Sequence, residues 1–236
     1  MNKNKNAIIF GGTGNLGEKF LHYLLKNDYN VVFTSSTNLK LKKIKKKFKR
    51  LIFKKKIYGI KCDFLKEPEI NKTIKFSKKY FKNLNLLINC NGIFNYDKIN
   101  QLNYINLNKI FTINAMSLII INKYVLKYYK INNFIKIISM GSSSSKDGFK
   151  DTVSYCGSKH ALLGIVKSLN KTFFKKKIIN YCINVGGLNN RMGRGLRSKN
   201  FKNLLNQDEV VKVLDYICKS GNHGIPEEIN IKKYQL

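Results

Sequence analysis

The feature that most constrains this chain is a regular alternation. Short apolar runs at residues 7–10, 31–34, 57–61, 84–89, 134–139 and 178–184 are separated by segments long enough for helices. Runs without polar alternation suit strands covered on both faces, and successive strands joined through helices must run parallel. The expected fold class is therefore α/β: a single-domain, doubly wound parallel sheet of about seven strands with helices on both faces. It occupies residues 1–236, with a last short strand at 228–231. No Pro/Gly/Ser-rich linker and no internal repeat divides the chain. In such a sheet ligands bind beyond the carboxyl ends of the strands, so residues directly after each apolar run are the places to look.

After the first run comes Gly11-Gly12-Thr13-Gly14-Asn15-Leu16-Gly17, leading into a helical stretch that ends at Lys26. Glycines at 11, 14 and 17 allow a tight turn, close approach of backbone to a pyrophosphate, and close packing of helix on strand. The helix N-terminus would present its N–H groups to the phosphates. Gly11, Thr13, Asn15, Leu16 and Gly17 are the candidate contacts. The second run ends in Thr34-Ser35-Ser36-Thr37 with Lys40 nearby, where an NAD-preferring fold carries a carboxylate for the ribose. Hydroxyls of Ser35 and Ser36 without a carboxylate favour a 2′-phosphate, so NADP is the expected cofactor, with NAD as the alternative.

The net charge of +32 raises the question of a polyanionic partner. Nearly all of it is lysine, with arginine only at positions 50, 191, 194 and 197, and Asn and Ile are abundant too. That pattern reads as A/T-rich coding, and lysine does not reproduce the arginine fork that reads guanine. A primary nucleic-acid role is not expected. The densest run, residues 40–56, carries Leu41, Ile44, Phe48, Leu51 and Ile52 at near-helical spacing and predicts one amphipathic surface helix with a solvated basic face. Five scattered cysteines without a C-x-x-C argue for reduced thiols in a cytoplasmic compartment, and no metal site is expected from the three scattered histidines. The few residues before the first apolar run leave no room for a signal-peptide core, so none is expected. The apolar segment 116–121 is too short to span a bilayer, so a soluble protein without a membrane role is expected.

Tyr155-Cys156-Gly157-Ser158-Lys159 places a phenol and an amine four residues apart, on one helical face. In a chain with thirteen tyrosines and this much lysine, chance alone supplies such a spacing. Its position is what carries weight. It follows the serine stretch Ser139-Met140-Gly141-Ser142 and precedes the sixth apolar run, downstream of the glycine turn, Cys62-Asp63, Asn89-Cys90-Asn91-Gly92 and Thr112-Ile113-Asn114-Ala115.

In that order these pieces resemble the short-chain dehydrogenase/reductase family in its compact, single-domain Rossmann form, over nearly the whole chain. The resemblance implies hydride transfer between NAD(P)(H) and a carbonyl or secondary alcohol. It makes Tyr155 the acid/base group, Lys159 its support, and Asn114 the holder of a water. It places Asp63 near the adenine and Asn91, Gly92, Gly186 and Leu188 along the cofactor, with Tyr155 and Lys159 also touching it and Lys159 hydrogen-bonding the nicotinamide ribose. The family's usual spacing puts the carbonyl-orienting serine at Ser142, whereas strand phase favours Ser139, and Ser139 is the preferred assignment here. Lysine next to the phenol should lower its pKa toward neutrality. The usual Pro-Gly after strand six becomes Val185-Gly186, and Asn190 stands where a threonine is common. Segment 189–206 corresponds to a substrate lid, whose three arginines hint at an anionic substrate or an acyl-carrier partner. The resemblance also implies a homodimer or homotetramer through the helices after strands four and five. The alternatives are a sugar-nucleotide epimerase or dehydratase, disfavoured by the short C-terminal remainder, and a dinucleotide sensor without turnover.

Overall fold

The structure, a computed structural model, describes residues 5–54, 56–189, 204–221 and 226–234. Seven parallel strands, β1 (Lys5–Phe10), β2 (Tyr29–Ser35), β3 (Ile57–Lys61), β4 (Leu86–Asn89), β5 (Ile135–Met140), β6 (Ile178–Val185) and β7 (Glu228–Ile231), form one sheet in the order β3-β2-β1-β4-β5-β6-β7. Every expected run is a strand, with ends shifted by at most two residues. The order reverses between β1 and β4, and that crevice is where a doubly wound sheet takes its ligand.

Side chains alternate across the sheet into two cores. Ala7, Ile9, Val31 and Phe33 pack with Phe20, Leu24, Leu214 and Ile217 from α1 (Asn15–Lys26) and α8 (Gln207–Lys219). Ile8, Phe10, Val32 and Ile137 pack on the other face with α4 (Glu67–Lys78), α6 (Ser117–Tyr128) and α7 (Val153–Thr172). Burial on both faces explains why the strands read as continuous apolar runs.

Two expectations change. The basic run is two helices, α2 (Asn38–Lys47) and α3 (Lys49–Phe53), broken at Phe48. The break seats Phe48 in the core beside Leu41 and Ile44, and Leu51 and Ile52 pack against the same cluster. The apolar segment near 116–121 belongs to a continuous helix of 25 residues, Tyr104–Tyr128, long and apolar enough to cross a membrane by length and composition. It consists of α5 (Tyr104–Phe111), a π-turn (Thr112–Met116) and α6. Leu118, Ile121 and Val125 are buried against the sheet, which accounts for one apolar face of this helix.

Candidate functional site

A cavity of about 860 Å³ opens at the carboxyl ends of the central strands. It is lined at one end by the glycine turn and at the other by Ser142, Tyr155 and Lys159. The loops after β4, β5 and β6 contribute the walls between them.

At the glycine turn the fit is steric. Gly11 has φ +78°, and a Cβ there would lie 3.0 Å from Asn91 Oδ1 and 3.2 Å from the Cys90 carbonyl carbon. A Cβ on Gly17 would lie 2.2 Å from the Gly11 oxygen. Both positions therefore exclude side chains, the first to let the β1 and β4 loops meet and the second to seat α1 on the turn. Gly14 is less constrained and serves as the N-cap of α1, with no side-chain cap on the helix. Asn15, Leu16 and Gly17 line the cavity at that uncapped end, where the helix dipole favours an anion. Thr13 is turned away, its hydroxyl donating to Ser35 Oγ (3.1 Å).

The end of β2 divides the expected contacts. Thr34 Oγ1 accepts from the Gly11 N–H (3.0 Å), and Ser35 Oγ donates to the Thr37 carbonyl (2.9 Å), so both are spent within the fold. Ser36 is exposed, and Lys40 lines the cavity. Among the described lining residues there is no carboxylate. Asp63 lies outside the lining, where its Oδ1 accepts from the Leu65 N–H (3.1 Å) at the entry to α4.

At the other end, α7 presents Tyr155 and Lys159. Lys159 is 3% exposed, its Nζ donates to the Met140 carbonyl (2.8 Å) and lies 5.7 Å from the Tyr155 ring centroid. Burial pulls the ammonium down to about 8. Burial pushes the Tyr155 phenol up, opposed by a hydrogen bond with Ser142. The expected lysine-lowered phenol is thus not what this geometry gives: desolvation prevails, and the ammonium is committed to a carbonyl.

The serine preference is also corrected. β5 runs on to Met140, so Ser139 stays inside the sheet, opposite Asn89 and Cys182. It is 1% exposed, off the cavity lining, and its hydroxyl finds no hydrogen-bond partner among the described residues. The chain leaves the sheet at Gly141, and Ser142 reaches Tyr155. Asn114 lies in the π-turn, 1% exposed, with its side chain hydrogen-bonded at both ends. Oδ1 accepts from the Ile93 N–H (2.9 Å), and Nδ2 donates to the Ile93 carbonyl (2.9 Å) and to Ser158 Oγ (3.0 Å). It therefore ties the β4 loop to α7, with both Nδ2 donors used and one lone pair of Oδ1 left to accept a further bond.

Asn91, Gly92, Gly186 and Leu188 all line the cavity. Sequence reasoning missed the aromatic wall: Phe94 meets Tyr155 edge-on at 4.7 Å and Tyr96 at 5.0 Å, and Phe149 lines the same space. An aromatic pair just after Gly92 was the available signal. Asn190 and the arginines at 191, 194 and 197 lie outside the described residues, as does most of the expected lid.

Comparison with known proteins adds independent findings. The family model described as short chain dehydrogenase matches residues 5–200. The chain is 29% identical over 203 residues to a 3-oxoacyl-[acyl-carrier-protein] reductase of Buchnera aphidicola, covering 86% of this chain and 81% of that protein. It is 25% identical over 175 residues to a diacetyl reductase of Staphylococcus epidermidis, covering 74% and 67%. Among solved structures, ElxO with NADP bound superposes with a TM-score of 0.86 at 25% identity, covering 97% of each chain. An actinorhodin polyketide ketoreductase variant with NADPH gives a TM-score of 0.88 at 17% identity, covering 97% and 96%.

Proposed function

The chain belongs to the short-chain dehydrogenase family and is an NAD(P)-dependent oxidoreductase; from that premise we propose that it reduces a small carbonyl compound with NADPH, using Tyr155 as proton donor. The observation that carries this reading is the meeting of Ser142, Tyr155 and Lys159 in the same cavity as the uncapped glycine turn. NADPH, when bound, supplies the hydride. Gly11, Asn15, Leu16 and Gly17 would hold its pyrophosphate, and Asn91, Gly92, Gly186 and Leu188 would flank its length.

The protein's own chemistry is proton supply and charge. Ser142 orients the carbonyl oxygen toward Tyr155. A phenol kept above its ordinary range stays protonated at neutral pH and is ready to give its proton to the developing alkoxide. Lys159 then sits near the phenolate left behind, in surroundings dry enough for the attraction to matter. Asn114 and Asp63 act through the backbone they hold. The test is NADPH consumption with diacetyl and with an acetoacetyl thioester, the carbonyl types that the named relatives suggest. Turnover of either supports the reading, and cofactor binding without turnover on a broad ketone and aldehyde panel contradicts it.

Cofactor choice rests on Lys40, with Ser36 beside it and no carboxylate in the described lining. Lys40→Glu is expected to weaken NADPH binding by about tenfold or more, with NADH affinity changed far less, since a cation–phosphate contact is replaced by like-charge repulsion. Titration of both cofactors by intrinsic fluorescence checks this.

We read residues 1–236 as one dehydrogenase domain, supported by a single sheet running from Lys5 to Ile231. A homo-oligomer is supported by the outward side of the Tyr104–Tyr128 helix, where Tyr104, Ile105, Met116 (52% exposed) and Ile119 (47% exposed) face away from the core. Light scattering should give a multiple of 27.3 kDa, and Ile119→Asp should reduce it. Five free cysteines support a reducing compartment such as the cytoplasm.

A further inference from the structure

The helix that carries Tyr155 lacks a cap of its own. Thr152 is the N-cap residue of α7, but its hydroxyl donates backwards to the Phe149 carbonyl (2.7 Å) and lies 3.1 Å from Cys156 Sγ. The first-turn groups are met instead by a residue from another loop. Asp97 Oδ2 accepts from the Ser154 N–H (3.2 Å) and from the Ser154 hydroxyl. Its Oδ1 accepts from Asn95 Nδ2 (2.6 Å), and its own N–H donates to the Asp151 carbonyl (2.7 Å). Asp97 and Thr152 also pair as an isolated parallel bridge.

Asp97 is 4% exposed, and among the described residues it makes no ion pair, in a chain where lysine is everywhere. A buried carboxylate without a cation needs other compensation, and N–H groups at a helix N-terminus provide it. The same loop is held a second time one helical turn later, where Asn114 joins Ile93 to Ser158. Ser154 and Ser158 are four residues apart on one face of α7, and they bracket Tyr155. Between the two anchor points runs segment 93–97, which includes Phe94, whose ring meets Tyr155.

We propose that Asp97 is a positioning residue for the reaction: it caps α7 from the β4 loop and, with Asn114, fixes Tyr155 and Phe94 relative to each other. This rests on the reading of Tyr155 as proton donor. Proton transfer is sensitive to displacements of an ångström, and a frayed first turn would move the phenol while leaving the glycine turn untouched.

Asp97→Ala is expected to lower kcat about 10- to 100-fold, with NADPH dissociation constant and carbonyl KM within about threefold of the parent. Hydrogen exchange of the free protein should show lost protection at the amides of 153–156 and unchanged protection in β1 and α1. Asp97→Asn keeps an acceptor oxygen for Ser154 and should recover most of kcat and of that protection. The proposal is overturned if Asp97→Ala retains kcat within twofold. It is also overturned if kcat, NADPH affinity and folded fraction fall together, or if Asp97→Asn is as impaired as Asp97→Ala. Should the parent protein reduce no carbonyl at all, the reading of Tyr155 fails by itself. The exchange data then decide the clamp: unchanged protection in Asp97→Ala sinks it, and selective loss at the start of α7 upholds it.

Discussion

Tyr155→Phe is expected to reduce kcat for carbonyl reduction by about 10²- to 10⁴-fold, the range associated with a positioned acid/base group. Phenylalanine keeps the ring that meets Phe94 at 4.7 Å, and so preserves the packing of the aromatic wall. What it removes is the hydroxyl that bonds with Ser142 and supplies the proton. The glycine turn, at the other end of the cavity, is untouched, so NADPH affinity should stay within about twofold. Steady-state kinetics with a parallel fluorescence titration separates the two effects. A fall in both would point to a packing defect, and no fall in kcat would remove Tyr155 from the chemistry.

Lys159→Met is expected to cost turnover and yet to stabilise the ligand-free protein. The ammonium is 3% exposed and sits at about 8, below the ordinary lysine value of 10.5. The folded state therefore binds this proton less tightly than the unfolded chain. The penalty is fully present below about pH 8, shrinks as pH rises, and is gone above 10.5. A depression of that size corresponds to about 3 kcal/mol, offset by about 1 kcal/mol for the donor lost to the Met140 carbonyl. Urea denaturation should show Lys159→Met more stable at pH 7 by about 1–2 kcal/mol, with the gap closing as pH rises toward 10.5. Tyrosines remote from the site weaken both proteins alike at high pH, so the difference reports Lys159 together with its coupled neighbours Cys182 and Tyr155. A variant less stable at pH 7 would show that Lys159 holds the fold as well as the site.

The central sheet was legible because strands buried on both faces leave uninterrupted apolar runs, as at 7–10 and 31–33. The half-buried edge strands at 57–61 and 228–231 were legible by position, and there the expected and observed ends coincide. Glycines 11 and 17 were legible for a steric reason: Gly11 has φ +78° and a Cβ there would press on Asn91 Oδ1 at 3.0 Å, and a Cβ on Gly17 would lie 2.2 Å from the Gly11 oxygen. The serine was misread because phase along a strand gives which face a side chain takes, not where the chain leaves the sheet. Ser139 is one residue short of the end of β5. The kink at Phe48 and the π-turn at Asn114 were hidden because each is fixed by partners far away in sequence, the sheet core for one and Ile93 and Ser158 for the other. Asp97 was invisible for the same reason, since a cap supplied from another loop leaves no local pattern. Ser35 and Thr13 looked like ligand contacts by position, but the Thr13 hydroxyl donates to Ser35 Oγ and Ser35 donates to the Thr37 carbonyl.

On the proposed reading, this cavity moves a hydride from NADPH to a carbonyl carbon with Tyr155 supplying the proton. The most direct measurement is isotope transfer: the protein is incubated with NADPH deuterated at the transferable position and with diacetyl or an acetoacetyl thioester, and the alcohol is analysed by mass spectrometry. One deuterium is expected on the new carbinol carbon with the parent protein and almost none, over the same time, with Tyr155→Phe. Equal labelling by the two proteins, or tight NADPH binding with no labelled alcohol from any carbonyl offered, would contradict it.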